Sequence, residues 1–273
     1  MPEIVASDNP ELANQIIERV ISGGVTVAEA ATEFGVAFTD LPDTHVELPG
    51  GFLDSDGNLI RTAEVRELTG FDEEALAKAA TPAKVMHLLL QRGVVKVGDI
   101  KPDQSTFNTL LAGDRDTLLL AIRKATYGVD LDFTVICPDC GETVDLKIDL
   151  DKDVEMKTLA EASDRYFEVT LRKGTAMVRL PQGDAQRALL QSEDKTYAEL
   201  NTLLLRWCVD SINDFPVVGE DSVRVLSIKD REKILEEITK RNPGPQLSEV
   251  KKACPSCEED INLPLTLAGL FRF

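Results

Sequence analysis

The chain has 273 residues, 43% of them apolar and 29% charged, and no run of about 18 apolar residues of the kind a membrane helix needs. Its 48 acidic residues against 30 basic ones give a net charge of −18, which repels nucleic acid and anionic membranes at long range. One large or two ordinary globular domains are expected, with DNA, RNA and membranes set aside as partners.

The start, Met1-Pro-Glu-Ile4, has neither the basic nor the apolar region of a secretory signal, so synthesis in the cytoplasm is expected. Asn9-Pro-Glu11 suits a helix N-terminus, and Gly23-Gly24 stops that helix. Thr26-Val-Ala-Glu29 has capping-box form and opens a second short helix that Gly35 can end. The pair makes residues 1–44 a helical arm. Val25 to Val36 also reads like the first helix and turn of a helix-turn-helix, but no recognition helix follows. Pro42, Pro49, Asp40, Asp43 and Glu47 come next, and nothing there could lie against phosphates.

From His45 to Leu68 apolar and polar residues alternate around Asp54-Ser-Asp-Gly57, the pattern of a β-hairpin. That turn resembles a calcium loop only superficially, since its Gly comes one ligand too early. Helices are expected from Asp72, from Thr81-Pro82 and from Asp114, with Gly93 and Gly128 closing the last two. Phe133 and Val135, then Val144, Leu146 and Ile148, give a hairpin around the first cysteine pair. A further hairpin spans Tyr166 to Leu180 and turns at Lys173-Gly174. Helices follow from Asp184, from Tyr197 to Val209, and from the cap Ser227 to Arg241, and Asn242-Pro-Gly-Pro245 reads as a loop.

Cys137-Pro-Asp-Cys140 and Cys254-Pro-Ser-Cys257 share more than spacing. A shift of 117 positions places Val144, Leu146 and Ile148 on Ile261, Leu263 and Leu265. Two knuckles with two thiolates each are what a tetrahedral Cys₄ zinc site requires. The 113 intervening residues exceed the usual ribbon spacing of about 15–20, so the ribbon must close across a large insertion. A disulfide is disfavoured in a reducing compartment, and a redox pair would need βαβ surroundings. Independent binding by each pair, or metal retained by only one, are the remaining alternatives. The expected fold is therefore α+β: helices and short antiparallel hairpins, with a discontinuous zinc ribbon closing residues 45–273 as one domain. Structural Zn²⁺ would be held by Cys137, Cys140, Cys254 and Cys257. A closed Cys₄ site has no open position for a reactive water, and its contribution would be folding energy.

Cys208, beside Leu204 and Trp207 on a helix, is expected in the core. The two histidines, His45 and His87, fall in no nucleophile motif, and there is no glycine-rich phosphate loop, so neither an enzyme nor a small-molecule substrate is expected. The apolar end, Leu263 to Phe273, reads as completion of the core in preference to a docking tail.

Three stretches resemble the baseplate-protein family of T4-like phages, a hub subunit family of tailed phages. They are Leu48-Pro-Gly-Gly-Phe-Leu53 continuing through Val65 to Leu76; Gly113-Asp-Arg-Asp116 to Gly128; and Asp132 to Asp149, which carries Cys-Pro-Asp-Cys-Gly. Together they run in order across residues 46–150, and the second cysteine pair rests on the internal repeat. The resemblance implies a structural part in a phage tail baseplate, at or near the hub, within the virion. Its partners would be other tail proteins, and it would do no chemistry. A tail or hub assembly chaperone absent from the virion is the alternative, and a zinc-ribbon nucleic-acid binder is a second.

Overall fold

The computed structural model describes residues 44–271 apart from 193 and 264, together with Asn14, Gln15, Ile17, Glu18, Arg19 and Ser22. Those six are helical. The rest of the first arm helix, the helix after Thr26 and the helix-turn-helix-like stretch lie outside the described residues. Thr44–Phe273 is one unit of α+β structure, with nine α-helices among the described residues and several short antiparallel sheets.

β1 (His45–Leu53) and β2 (Leu59–Val65) form the expected hairpin. The Asp54 carboxylate accepts the N–H groups of Asp56 and Asn58 at 2.9 and 2.8 Å, so it closes a turn and is not spare for a cation. α1 (Gly70–Ala77) starts at the Thr69/Asp72 capping box, and Arg66 and Arg92 reach Asp72 at 2.8 and 3.1 Å. Burial works against this carboxylate, but Arg66, the Thr69 N–H and Arg92 outweigh it and hold its pKa far below the usual range. α2 (Pro82–Gly93) ends where a Cβ on Gly93 would lie 2.5 Å from Ile122. The chain turns there directly into β3 (Val94–Val97), an edge strand on β2 that the sequence pattern did not give.

After α3 (Gln104–Thr109), capped by Asp103, comes α4 (Ala112–Tyr127). Twelve of the sixteen residues of α4 are buried, including Asp114, Arg115 and Arg123, so it is surrounded and not amphipathic. The first core packs around it: β1 to β3, α1 and α2, the hairpin β4 (Asp130–Ile136) and β5 (Thr143–Asp149), and the C-terminal segment as far as Leu270 and Phe271. For the described residues, the apolar end therefore completes the core.

The second core lies on the hairpin β7 (Tyr166–Leu171) and β8 (Gly174–Arg179), which follows the two-residue β6 (Met156–Lys157). α5 (Gly183–Leu190) and α6 (Tyr197–Cys208) come next. β9 (Val209–Ile212) and β10 (Phe215–Pro216) then extend the sheet to the order β10-β9-β8-β7. α7 (Glu220–Arg224) precedes α8 (Ile228–Arg241), whose N-cap Ser227 accepts the Asp230 N–H at 3.2 Å. Asn242–Pro245, expected as a plain loop, contributes β11 (Gly244–Pro245), which pairs with β6.

The first turn of α4 joins the two cores. Asp114 Oδ1 accepts the Gly50 and Gly51 N–H groups at 2.7 and 3.3 Å. Arg165 donates to the carbonyls of Gly50 and Gly51, the first at 3.0 Å. Arg115 donates to Gly183 O at 2.6 Å, and the Ala112 N–H to Pro181 O at 2.8 Å. Pro243 and Gly244 cross so close over this turn that a Cβ on Gly113 would stand 1.7 Å from Pro243 O.

Gly113→Ala should therefore cost about 3 kcal/mol, or roughly 6–12 °C in Tm, whereas Gly70→Ala, which meets nothing within 4 Å, should change Tm little. Burial pushes the Asp114 carboxyl up to about 6 against the pull of the Gly50 and Gly51 N–H groups. With its folded pKa above its unfolded value of about 4, this group contributes most below pH ~4, and the contribution declines as pH rises through that interval. Asp114→Asn keeps the acceptor and removes the charge. Denaturant titrations should show the wild type losing stability relative to this variant as pH rises from about 4 to about 6.

Candidate metal centre

The first knuckle joins β4 to β5. The Cys137 N–H donates to Glu142 O at 2.9 Å, and the Gly141 N–H donates back to Cys137 O at 3.0 Å. The second joins β12 (Lys251–Ala253) to β13 (Asp260–Asn262) and repeats this backbone residue for residue, with Cys254 to Glu259 at 2.8 Å and Glu258 to Cys254 at 2.9 Å. Strand register repeats as well: Ile136 pairs with Thr143 as Ala253 pairs with Asp260, and Val135 with Val144 as Lys252 with Ile261. Both knuckles need a left-handed residue after the second cysteine. Gly141 supplies it in one at φ 73° and Glu258 in the other at φ 66°. The second hairpin is shorter and stops after three pairs.

The four cysteine sulfurs all lie within 4.8 Å of one another. Cys137 Sγ is 3.7 Å from Cys257 Sγ, and Cys140 Sγ is 3.8 Å from Cys254 Sγ, so each sulfur of one knuckle touches one of the other. Metal–sulfur bonds of about 2.3 Å in a tetrahedron put sulfurs about 3.8 Å apart, and a disulfide would bring two of them to about 2.05 Å. The spacing suits four thiolates around one ion, and all four are free thiols. Desolvation opposes the Cys254 thiolate, but the Ser256 and Cys257 N–H groups together with the Cys257 and Cys137 thiols outweigh it and lower this thiol, while the same cluster raises the thiols of Cys140 and Cys257.

Cys137 and Cys254 are buried in the first core, whereas Cys140 is exposed and Cys257 half-buried. The centre thus sits at the rim of the core with acidic residues outside it: Asp139, Glu142, Glu258 and Glu259 are all exposed. Lys252 Nζ pairs with Asp153 at 2.7 Å, and Asp153 also accepts the Asp149 N–H at 2.7 Å, which ties the second knuckle to the end of β5. Sequence spacing carried no signal for that tie. Cys208 lies apart in the second core, its thiol pushed up to about 12 by burial. His45 begins β1 and His87 sits half-buried on α2, on separate elements.

A family model described as T4 bacteriophage base plate protein matches residues 52–262, a stretch that takes in both cysteine pairs. No curated protein and no solved structure matches the chain. The cluster geometry makes a labelling prediction: once any ion has been chelated, an alkylating reagent applied to the folded chain should modify Cys140 first and leave Cys208 unmodified, as read by peptide mass mapping.

Proposed function

The chain belongs to the T4 bacteriophage base plate protein family, and from that premise we propose that it is a structural subunit at or near the tail hub, stapled by one zinc ion and acting through protein–protein contacts. The observation that carries this reading is the family match itself, which extends from the first hairpin through both knuckles. Supporting the zinc assignment are the all-sulfur donor set and the sulfur spacing. Cys137, Cys140, Cys254 and Cys257 would hold the ion, leaving no position for water, so its contribution is to folding, commonly on the order of 10 kcal/mol in small zinc units.

In this reading residues 1–44 are a helical arm on a baseplate domain of residues 45–273, the chain is made in the host cytoplasm and it remains in the virion. It takes no substrate, and its acidity keeps it off nucleic acid. Purified virions analysed by mass spectrometry should contain it. Detection in infected cells but never in tails would mean an assembly chaperone instead. Elemental analysis should give one zinc per chain. Cys137→Ser or Cys254→Ser should release the metal and lower Tm by more than about 10 °C. Protein that is folded and zinc-free would end the zinc assignment and leave the family assignment standing.

A further inference from the structure

The two knuckles are backbone copies, but they are not held equally. The first is backed by a ladder of seven pairs, from Ile136–Thr143 to Asp130–Asp149, and the second by three, from Ala253–Asp260 to Lys251–Asn262. Each ladder ends on one further backbone bond, Leu150 N–H to Val129 O at 3.0 Å in one and Leu263 N–H to Val250 O at 2.9 Å in the other, so the shortfall is not made up there. The strand leading in differs as well. β4 enters its knuckle as Thr134-Val-Ile136, with Val135 packed against the first core, whereas β12 enters as Lys251-Lys-Ala253, whose side chains add little to a pleated surface. The third difference is the left-handed residue. Gly141 has no Cβ to strain at φ 73°, whereas Glu258 bears that strain at φ 66°.

One contact works the other way, the ion pair of Lys252 with Asp153, but both side chains are partly solvated and such pairs hold weakly. Ile261 and Leu263 stay buried in the first core and confine any opening to the turn itself. Cys137 and Cys254 are equally buried at 1% exposure, so static burial does not separate the two halves. Local opening costs least where pairing is short and the backbone strained. We propose that the second knuckle opens on its own while the first stays closed, so that an ion is met first by Cys137 and Cys140 and is enclosed, and later released, by Cys254 and Cys257. A dithiol already held in its binding geometry has less ordering entropy to lose than one that must close. The opening belongs to the bare chain; the loading order rests on the zinc reading.

Matched amides make the test direct, because the Cys137 and Cys254 N–H groups sit in the same hydrogen bond and each cysteine precedes a proline. In hydrogen exchange on the full chain with any ion chelated, the Cys254 and Glu258 amides should exchange at least ~10-fold faster than those of Cys137 and Gly141, after correction for neighbouring side chains. Glu258→Gly removes the strain and should slow exchange at Cys254 by ~5-fold while leaving Cys137 unchanged. In the zinc-loaded chain the same variant should slow metal loss to a chelating dye by a like factor. Gly141→Ala, whose Cβ meets nothing within 4 Å, should change that loss by less than ~2-fold. Equal protection of the matched amides overturns the proposal, as does Gly141→Ala speeding metal loss by as much as Glu258→Gly slows it. Should chelation unfold the chain, the metal-loss comparison carries the test. A folded chain that binds no zinc removes the loading order together with the zinc reading, and the amide comparison then decides the opening.

Discussion

The first turn of α4 is the point at which this chain becomes one body. Gly113 admits the Pro243–Gly244 backbone at a distance no side chain would tolerate, Asp114 takes the Gly50 and Gly51 amides of β1, and Arg115 holds the carbonyl of Gly183. Three distant segments are thus satisfied by three consecutive residues. A buried carboxylate ordinarily carries a desolvation cost of several kcal/mol, and here two backbone N–H groups and the field of Arg165 offset only part of it. The hydrophobic cores on either side supply the bulk of the folding energy, but this turn fixes how they are joined.

The cysteine cluster draws together two hairpins that pack in the first core. The knuckles stand 113 residues apart in sequence, yet their backbones repeat in hydrogen bonds, register and the left-handed fifth residue. Everything between them, including all of the second core except Leu111, is an excursion that begins and ends at four sulfurs. A long loop costs little more to close than a moderate one, since the entropy grows only with the logarithm of its length. This is why two knuckles separated by so large an insertion can still meet.

Much of the fold was legible where the signal is local. Thr81 and Ser227 start helices as capping chemistry dictates, and the helices expected from Asp72 and Tyr197 form with Thr69 and Thr196 as their caps. The three longer hairpins follow two-residue alternation with turns at Asp54–Gly57, the first knuckle and Lys173–Gly174. β3, β9 and β10 were not legible because strands of two to four residues exist only by pairing with a neighbour. Asp114 could be read as a helix start but not as the receptor for β1, because its partners lie 63 and 64 residues away. The four-cysteine cluster was legible as a spacing and a repeat. Its supporting pair, Lys252 with Asp153, was not, because a surface charge looks the same in sequence whether or not it has a partner.

The order of the knuckles along the chain also sets an order in time. A ribosome adding about 5–20 residues per second delivers Cys137 and Cys140, then takes roughly 6–25 s to deliver the matching pair. Throughout that interval the nascent subunit presents a bare dithiol, and only a chain translated past Cys257 offers four sulfurs to an ion. Four-sulfur coordination would therefore report that synthesis has passed the second knuckle, and a prematurely terminated chain would carry half a site.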